Sequence, residues 1–307
     1  MPLVSPMPTT DGAPAGLINT DQILHLGTPQ CAVLVACPVT ACVAQYGPRF
    51  DRLGAVYQVL LNGIPMLARE GLIDEFNISA DLPPPGYKDA APGSPFVKVG
   101  VGELNRPDDE PYRFSGAYAV RQAAPIALRR EINQLSITQS CASVTGYSYR
   151  YTKNYRLDPV TQTLVIEFVM TNTGQQVLAL EHYNHNWFSL GGRQPDATYR
   201  LTTRFPLAHA PLGGWLTQAP HSLAPRAVMN TPAYAPYPTV SAPAADNWFR
   251  LELTDSPLAV EVSGNFPVSR FAQYADPTSF CPEVFGVHHL VPCQSASWTR
   301  TYVFHCD

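Results

Sequence analysis

Tyr147-Ser148-Tyr149-Arg150-Tyr151-Thr152-Lys153-Asn154-Tyr155-Arg156-Leu157 runs into Asp158-Pro159-Val160-Thr161, and Thr163 to Thr171 follows. This reads as strand, turn, strand: aromatic and β-branched residues suit a pleated, half-buried surface, and Asp-Pro opens a turn. The same grammar recurs along the chain. Val56 to Leu61 leads into Asn62-Gly63 and then Ile64, and Asn-Gly suits the positive φ angles of a type I′ hairpin. Phe96 to Val101 sets Val97, Val99 and Val101 on one face and Lys98 on the other. Val177 to Leu190, Tyr199 to Phe205, Trp248 to Leu253, Ala259 to Val262 and Ser297 to Phe304 read as further strands. Long helix-period segments are absent, and 31 prolines and 20 glycines punctuate short apolar runs. The expectation is an all-β chain folded as a large antiparallel β-sandwich.

Ser79 to Pro95, with Pro83-Pro84-Pro85-Gly86, and Ala224 to Asp246, rich in Pro and Ala, read as long loops. Such loops are where a β scaffold often carries function. No sharp linker divides the chain, so residues 21–307 are expected to form one domain and residues 1–20 a flexible tail. The 307 residues, 45% hydrophobic and only 14% charged, can bury a large core. A formal net charge of -4 with no basic run argues against a nucleic-acid partner. No run of about 18 apolar residues offers a membrane span. Met1 to Thr20 lacks the basic start and apolar block of a signal peptide. Seven cysteines, an odd number without a CxxC pair, read as buried thiols of a reducing compartment and hence of a cytoplasmic protein. Their spacing argues against a zinc site.

Chemistry gathers in His182-Tyr183-Asn184-His185-Asn186-Trp187-Phe188-Ser189-Leu190. Sugar sites need such a mixture: an acid or base, amides for hydroxyls, and flat apolar surface for a ring face. On a strand, residues two apart share a face, so Tyr183, His185 and Trp187 point together and His182 points away. Histidine is the usual proton shuttle near neutral pH, although a strand histidine is often only structural. Asn184 and Asn186 need polar partners if buried. Glu283 follows Phe280-Cys281-Pro282 and is otherwise an ordinary loop carboxylate. Asp246 precedes Asn247-Trp248-Phe249 and is otherwise a turn aspartate. Arg49 and Arg52 flank Phe50-Asp51; a guanidinium fork there binds vicinal hydroxyls or an anion, or pairs with Asp51. His288-His289 sits in a loop-like stretch with no identifiable metal partners.

Asn184-His185-Asn186-Trp187-Phe188-Ser189-Leu190 resembles the Asn-His-x-Tyr-Phe-Asn-Leu motif of aldose 1-epimerases (galactose mutarotases), in which the histidine is the catalytic acid. The Glu283 segment resembles the family's late Cys-x-Glu-Pro, which carries the catalytic base, and departs from it at Val284 and Phe285. Asp246 to Phe249 resembles Asp-His-Pro-Phe, whose aspartate binds a sugar hydroxyl. The layout from Arg52-Leu53 to Val59-Leu60-Leu61-Asn62-Gly63 is similar to the family's arginine segment, which maps the sugar-contacting arginine to Arg52, with Arg49 as the second candidate. The family's Leu-His-Gly-Gly element is replaced by Gly71-Leu72-Ile73-Asp74-Glu75-Phe76, and no histidine occurs between His25 and His182. Lys98 and Glu75 are left to occupy that part of the cleft. Gly86-Tyr87 and Phe96 to Gly102 resemble a divergent branch of mutarotase-like proteins.

The resemblance implies a sandwich with an open cleft on one sheet. His185 as acid and Glu283 as base would interconvert the anomers of a small sugar, without a metal or organic cofactor. Arg52, Arg49, Asp246, Lys98, Glu75, Asn184 and Trp187 are the implied binding residues. Other classes stay open: a different epimerase, isomerase or lyase acting on an unusual or anionic substrate, a non-catalytic carbohydrate-binding protein, or a purely structural sandwich. The sequence specifies no oligomeric state.

Overall fold

Strand occupies 54% of the chain and helix 2%. The computed structural model describes residues 23–38, 47–207 and 214–306. The tail expected over residues 1–20 lies outside the described residues. The first sheet runs, edge to edge, through Ile23–Thr28, Cys31–Ala36, Val56–Leu61, Leu67–Phe76, Leu178–Phe188, Phe280–Leu290, Arg270–Ala275 and Ala233–Tyr237. The second runs through Leu216–Ala219, Ser222–Pro225, Tyr199–Thr203, Trp248–Leu253, Ala259–Gly264, Ser295–His305, Thr163–Asn172, Tyr149–Asp158, Gln134–Cys141 and Ile126–Glu131. The paired strands are antiparallel, and the two sheets share one core that joins Val33, Phe76, Leu180 and Phe188 to Tyr151, Phe168, Trp298 and Tyr302.

Burial along the strands locates the working face. Thr163–Asn172 alternates strictly between buried and half-buried positions, as a strand does with one face on the core and one toward water. Leu178–Phe188 is buried at almost every position. Something therefore covers the outer face of the first sheet at its centre. The cover comes from residues 47–55 and from a small sheet of Pro95–Lys98, Gly102–Asn105 and Val120–Ala123, which carries its own aromatic cluster of Tyr87, Phe96, Tyr112 and Tyr118.

Several local expectations change. The strand expected through Val101 ends at Lys98, because Gly100 (φ 83°) turns the chain back into Gly102–Asn105. Lys98 is 1% exposed. The stretch Ala224 to Asp246 is no continuous loop, since Ala233–Tyr237 forms an edge strand on Arg270–Ala275. His288 and His289 lie on Phe280–Leu290, not in a loop. The Asn62-Gly63 hairpin takes its expected form, with φ of 49° and 82°.

The strand Leu67–Phe76 bends at Gly71, whose φ is 74°. A Cβ built there falls 2.0 Å from the Val56 carbonyl oxygen. Gly71→Ala is therefore expected to lower stability by roughly 1–3 kcal/mol through backbone strain and displacement of Val56. Urea unfolding measures it; a loss below about 0.5 kcal/mol, the level of an ordinary surface change, would contradict this account.

The interior between the sheets is not wholly apolar. Lys153 reaches from the second sheet to Asp74 of the first at 2.7 Å and to Asp51 at 3.3 Å. Tyr151 donates to Asp51 at 3.0 Å and Asn184 to Asp74 at 3.0 Å. Burial would drive Lys153 toward its neutral form, but the two carboxylates outweigh it and hold the ammonium charged well above its ordinary range.

Candidate active site

Three neighbouring strands build the site. Leu67–Phe76 supplies Glu75, Leu178–Phe188 supplies Tyr183, His185 and Trp187, and Phe280–Leu290 supplies Cys281 and Glu283. The period of two puts Tyr183, His185 and Trp187 on the covered outer face. It puts Cys281 and Glu283 there as well.

His185 is the hub. Its Nδ1 lies 2.6 Å from Glu283 Oε1, and its Nε2 lies 3.0 Å from Glu75 Oε2 and 2.7 Å from the Tyr183 hydroxyl. The ring stacks on Trp187 at 4.6 Å and 7°, and Phe50 meets it edge-on at 5.4 Å. Arg49 holds Glu75 with two hydrogen bonds of 2.9 Å and lies between the Phe50 and Phe114 rings. Tyr183 donates to Glu75 at 2.5 Å. The Lys98 ammonium stands 3.9 Å from Glu75 and donates to the Phe76 carbonyl and the Tyr112 hydroxyl. Glu75 is 0%, His185 2% and Glu283 3% exposed, so the group is closed over by Arg49, Phe50 and the aromatic cover.

The electrostatics follow from this packing. Burial would lower the proton affinity of His185, but the charge and hydrogen bond of Glu283, joined by Glu75, outweigh it and raise the imidazole above its ordinary value. Burial would raise the Glu75 carboxyl; the Arg49 charge, the His185 hydrogen bond and Lys98 reverse this and hold it well below the usual carboxylate range. Lys98 is brought down to about 8 by burial and by Arg49, against the pull of Glu75. Burial and the Glu283 charge push the Cys281 thiol well up, which keeps it protonated.

The raised His185 value has a sign for stability. The contribution of the charged ring is fully present below its unfolded value of about 6.5 and is lost as pH rises through the folded value. The stability difference between wild type and His185→Asn is expected to shrink as pH is raised from 6 into the alkaline range. Chemical denaturation across that window that finds a constant difference would refute it.

His185, Cys281 and Glu283 bring one possible metal-ligand atom each to within 4.8 Å of one another. The 2.6 Å Nδ1–Oε1 spacing is that of a shared proton. Two ligands of one zinc at about 2.0–2.2 Å in a tetrahedron stand farther apart.

The remaining sequence candidates lie elsewhere. Arg52 donates at 3.1 and 2.9 Å to the carbonyl of Gly47 and not to Glu75; Arg49 takes that place. Asn184 is on the opposite face of its strand, bonded to Asp74 among the inter-sheet polar groups. Asn186 likewise faces inward, with Tyr302 donating to its oxygen at 3.1 Å. Asp246 ends the short 3-10 turn Ala244–Asp246 before Trp248–Leu253 of the second sheet, half-buried and away from the strands that carry His185. His182 stacks on Trp298 at 4.5 Å and on His288 at 5.1 Å, inside the sandwich. Phe50, Phe114 and Cys281 were not singled out in the sequence. The spacing of Cys281 two residues before Glu283 was the one available signal.

No family model and no curated protein matches the chain. Solved structures do. A protein of Synechocystis sp. PCC 6803 matches with a TM-score of 0.57 at 14% identity, over 93% of this chain and 96% of that one. A galactose mutarotase related enzyme from Lactobacillus acidophilus matches at 0.57 and 11%, over 92% and 97%. A galactose mutarotase-like protein from Lactobacillus casei matches at 0.57 and 9%, over 92% and 100%. Likeness at such low identity is likeness of fold, and by that measure the chain has the galactose mutarotase-like fold, in a divergent sequence.

Proposed function

We propose that the protein interconverts the anomers of a small sugar by acid–base opening and closing of the ring. The observation that carries the reading is the direct 2.6 Å contact between an imidazole and a carboxylate on one sheet face, with the imidazole stacked on Trp187. An acetal carbon bears two oxygens side by side. A sugar that inserts between His185 Nδ1 and Glu283 Oε1 places its ring oxygen toward the donor and its anomeric hydroxyl toward the acceptor.

The Nδ1 proton then passes to the ring oxygen as the bond from that oxygen to C1 breaks. Glu283 takes the anomeric hydroxyl proton, and C1 becomes an aldehyde. Rotation about C1–C2 presents the other face. Closure returns the protons: the carboxylic acid of Glu283 protonates the carbonyl oxygen while His185 takes back the proton of the attacking hydroxyl. Trp187 and Phe50 offer apolar surface to the sugar ring. Because the groups are buried, sugar access requires the Arg49–Phe50 segment to move aside. The fold's likeness to a galactose mutarotase related enzyme supports the choice of substrate class.

Anomer exchange of free aldoses followed by NMR tests the proposal. Exchange faster than the solvent-catalysed rate is expected for at least one neutral aldose. A folded protein that accelerates none of a broad panel would rule the reading out in favour of another reaction on this fold.

A further inference from the structure

Both nitrogens of His185 face carboxylates, Glu283 at Nδ1 and Glu75 at Nε2. An imidazole donates at both nitrogens only when it carries two protons. The two carboxylates are not equivalent. Glu283 sits two residues from Cys281, and the Cys281 thiol approaches its Oε1 at 3.8 Å. Glu75 is fully enclosed: Arg49 grips both of its oxygens, Tyr183 donates to Oε2, and Lys98 lies behind it. Glu75 is thus fixed, and a fixed acceptor at one nitrogen fixes the ring. Among the described residues the buried Glu75 carboxylate is contacted by Arg49, Tyr183, His185 and Lys98.

Resting on the anomer-exchange reading, we propose that Glu75 is a positioning residue for His185: it anchors Nε2–H, keeps the imidazole doubly protonated, and thereby makes Nδ1 the nitrogen that donates to substrate. The arrangement is a linear relay of Arg49, Glu75, His185 and Glu283, with Tyr183 bracing the central contact. A merely structural role, in which Glu75 exists to neutralise Arg49, predicts loss of stability in Glu75→Gln with the Nε2 proton resonance unchanged.

The groups that face His185 are few enough to make this decisive. Among the described residues they are Glu75 from Leu67–Phe76, Tyr183 and Trp187 from its own strand, Cys281 and Glu283 from Phe280–Leu290, and Phe50 from the covering segment; Arg49 and Lys98 stand beyond Glu75. Glu75→Gln removes one charge and preserves shape. Arg49, at 19% side-chain exposure, then reaches water rather than remaining a buried unpaired cation.

The experiment is an NMR titration of the histidine rings in wild type and Glu75→Gln, with the His185 resonance assigned by its loss in His185→Asn. In Glu75→Gln the His185 midpoint is expected to fall by about one pH unit or more, a tenfold or larger loss of proton affinity, with the Nε2 proton resonance lost or shifted. Glu75→Asp, which keeps the charge, is expected to restore most of the midpoint and serves if the glutamine variant fails to fold. A midpoint that moves by less than about 0.3 unit in folded Glu75→Gln, or that falls as far in Glu75→Asp as in Glu75→Gln, overturns the proposal. The readout does not depend on turnover. A shifted midpoint in a protein that turns over no sugar would remove the anomer-exchange reading and leave the positioning role standing; with turnover, the alkaline limb of kcat is expected to move down with the midpoint while KM stays near wild type.

Discussion

Glu283→Gln and His185→Asn are each expected to lower the proposed anomer-exchange rate by about 10²- to 10⁴-fold, the span typical of a lost general acid or base. Glutamine copies the shape of Glu283 and still accepts at Oε1, but it takes no proton from the anomeric hydroxyl. Asparagine in place of His185 has no titratable proton to give. The two act on one transfer, so the double variant is expected to fall little below the worse single, rather than to the product of the two losses. Wild-type rates are expected to decline as pH rises through the His185 value, which lies above its ordinary one because the pull of Glu283 and Glu75 outweighs burial. Exchange spectroscopy on the sugar's anomeric protons measures all of this. Full activity in either variant would remove that residue from the chemistry, and multiplicative losses would separate their roles.

Lys153→Met is expected to cost roughly 3–5 kcal/mol of stability, because it leaves Asp51 and Asp74 as buried carboxylates without their cation. Burial and the neighbouring Asp74 already raise the Asp51 carboxyl, and Lys153 opposes them most strongly, with the Leu53 amide and the Tyr151 hydroxyl. Without it the Asp51 carboxyl is pushed further toward the protonated form. Groups whose folded values are raised in this way destabilise most at high pH, so the deficit is expected to be smaller near pH 4 than near pH 8. Neutralising one partner as well, in Lys153→Met with Asp74→Asn, is expected to recover part of the loss. Urea unfolding at the two pH values decides it: a deficit under about 1 kcal/mol, or one that grows in acid, would mean that the triad is not the anchor described. Asp74 and Glu75 are consecutive, so the same anchor steadies the strand that presents Glu75 to His185.

The sandwich was legible because several strands alternate plainly and some of them end at clear turns, such as Asp158-Pro159 and Asn62-Gly63. Among the strands that escaped notice are the two beside His185. Gly71 interrupts Leu67–Phe76, and Pro282 with His288-His289 disguises Phe280–Leu290. Both are buried on two faces and show no alternation, which is the only periodic signal a strand offers. Glu75 and Glu283 could therefore be suspected from composition and resemblance but not placed. Arg49 and Arg52 straddle an irregular turn where no period tells which one reaches the site. Asn184 is the opposite case. The alternation that gathers Tyr183, His185 and Trp187 necessarily sends Asn184 to the other face, so its placement was implicit in the same pattern that located the histidine.

Gly71 carries a consequence for how the sheet finds its alignment. Sliding Leu67–Phe76 by one residue past its neighbours would exchange its two faces, setting Glu75 against Lys153 and Asp74 against His185. Such a misaligned sheet keeps an acid opposite each basic group, and Leu72 and Ile73 are apolar whichever way they point, so neither charge nor hydrophobicity separates the right pairing from the wrong one. The close approach of the Val56 carbonyl does. Only a residue without a Cβ fits beneath it, and the positions on either side are Glu70 and Leu72. A single missing carbon atom thus works as a key that admits one alignment of the strand, and with it one arrangement of the acids around His185.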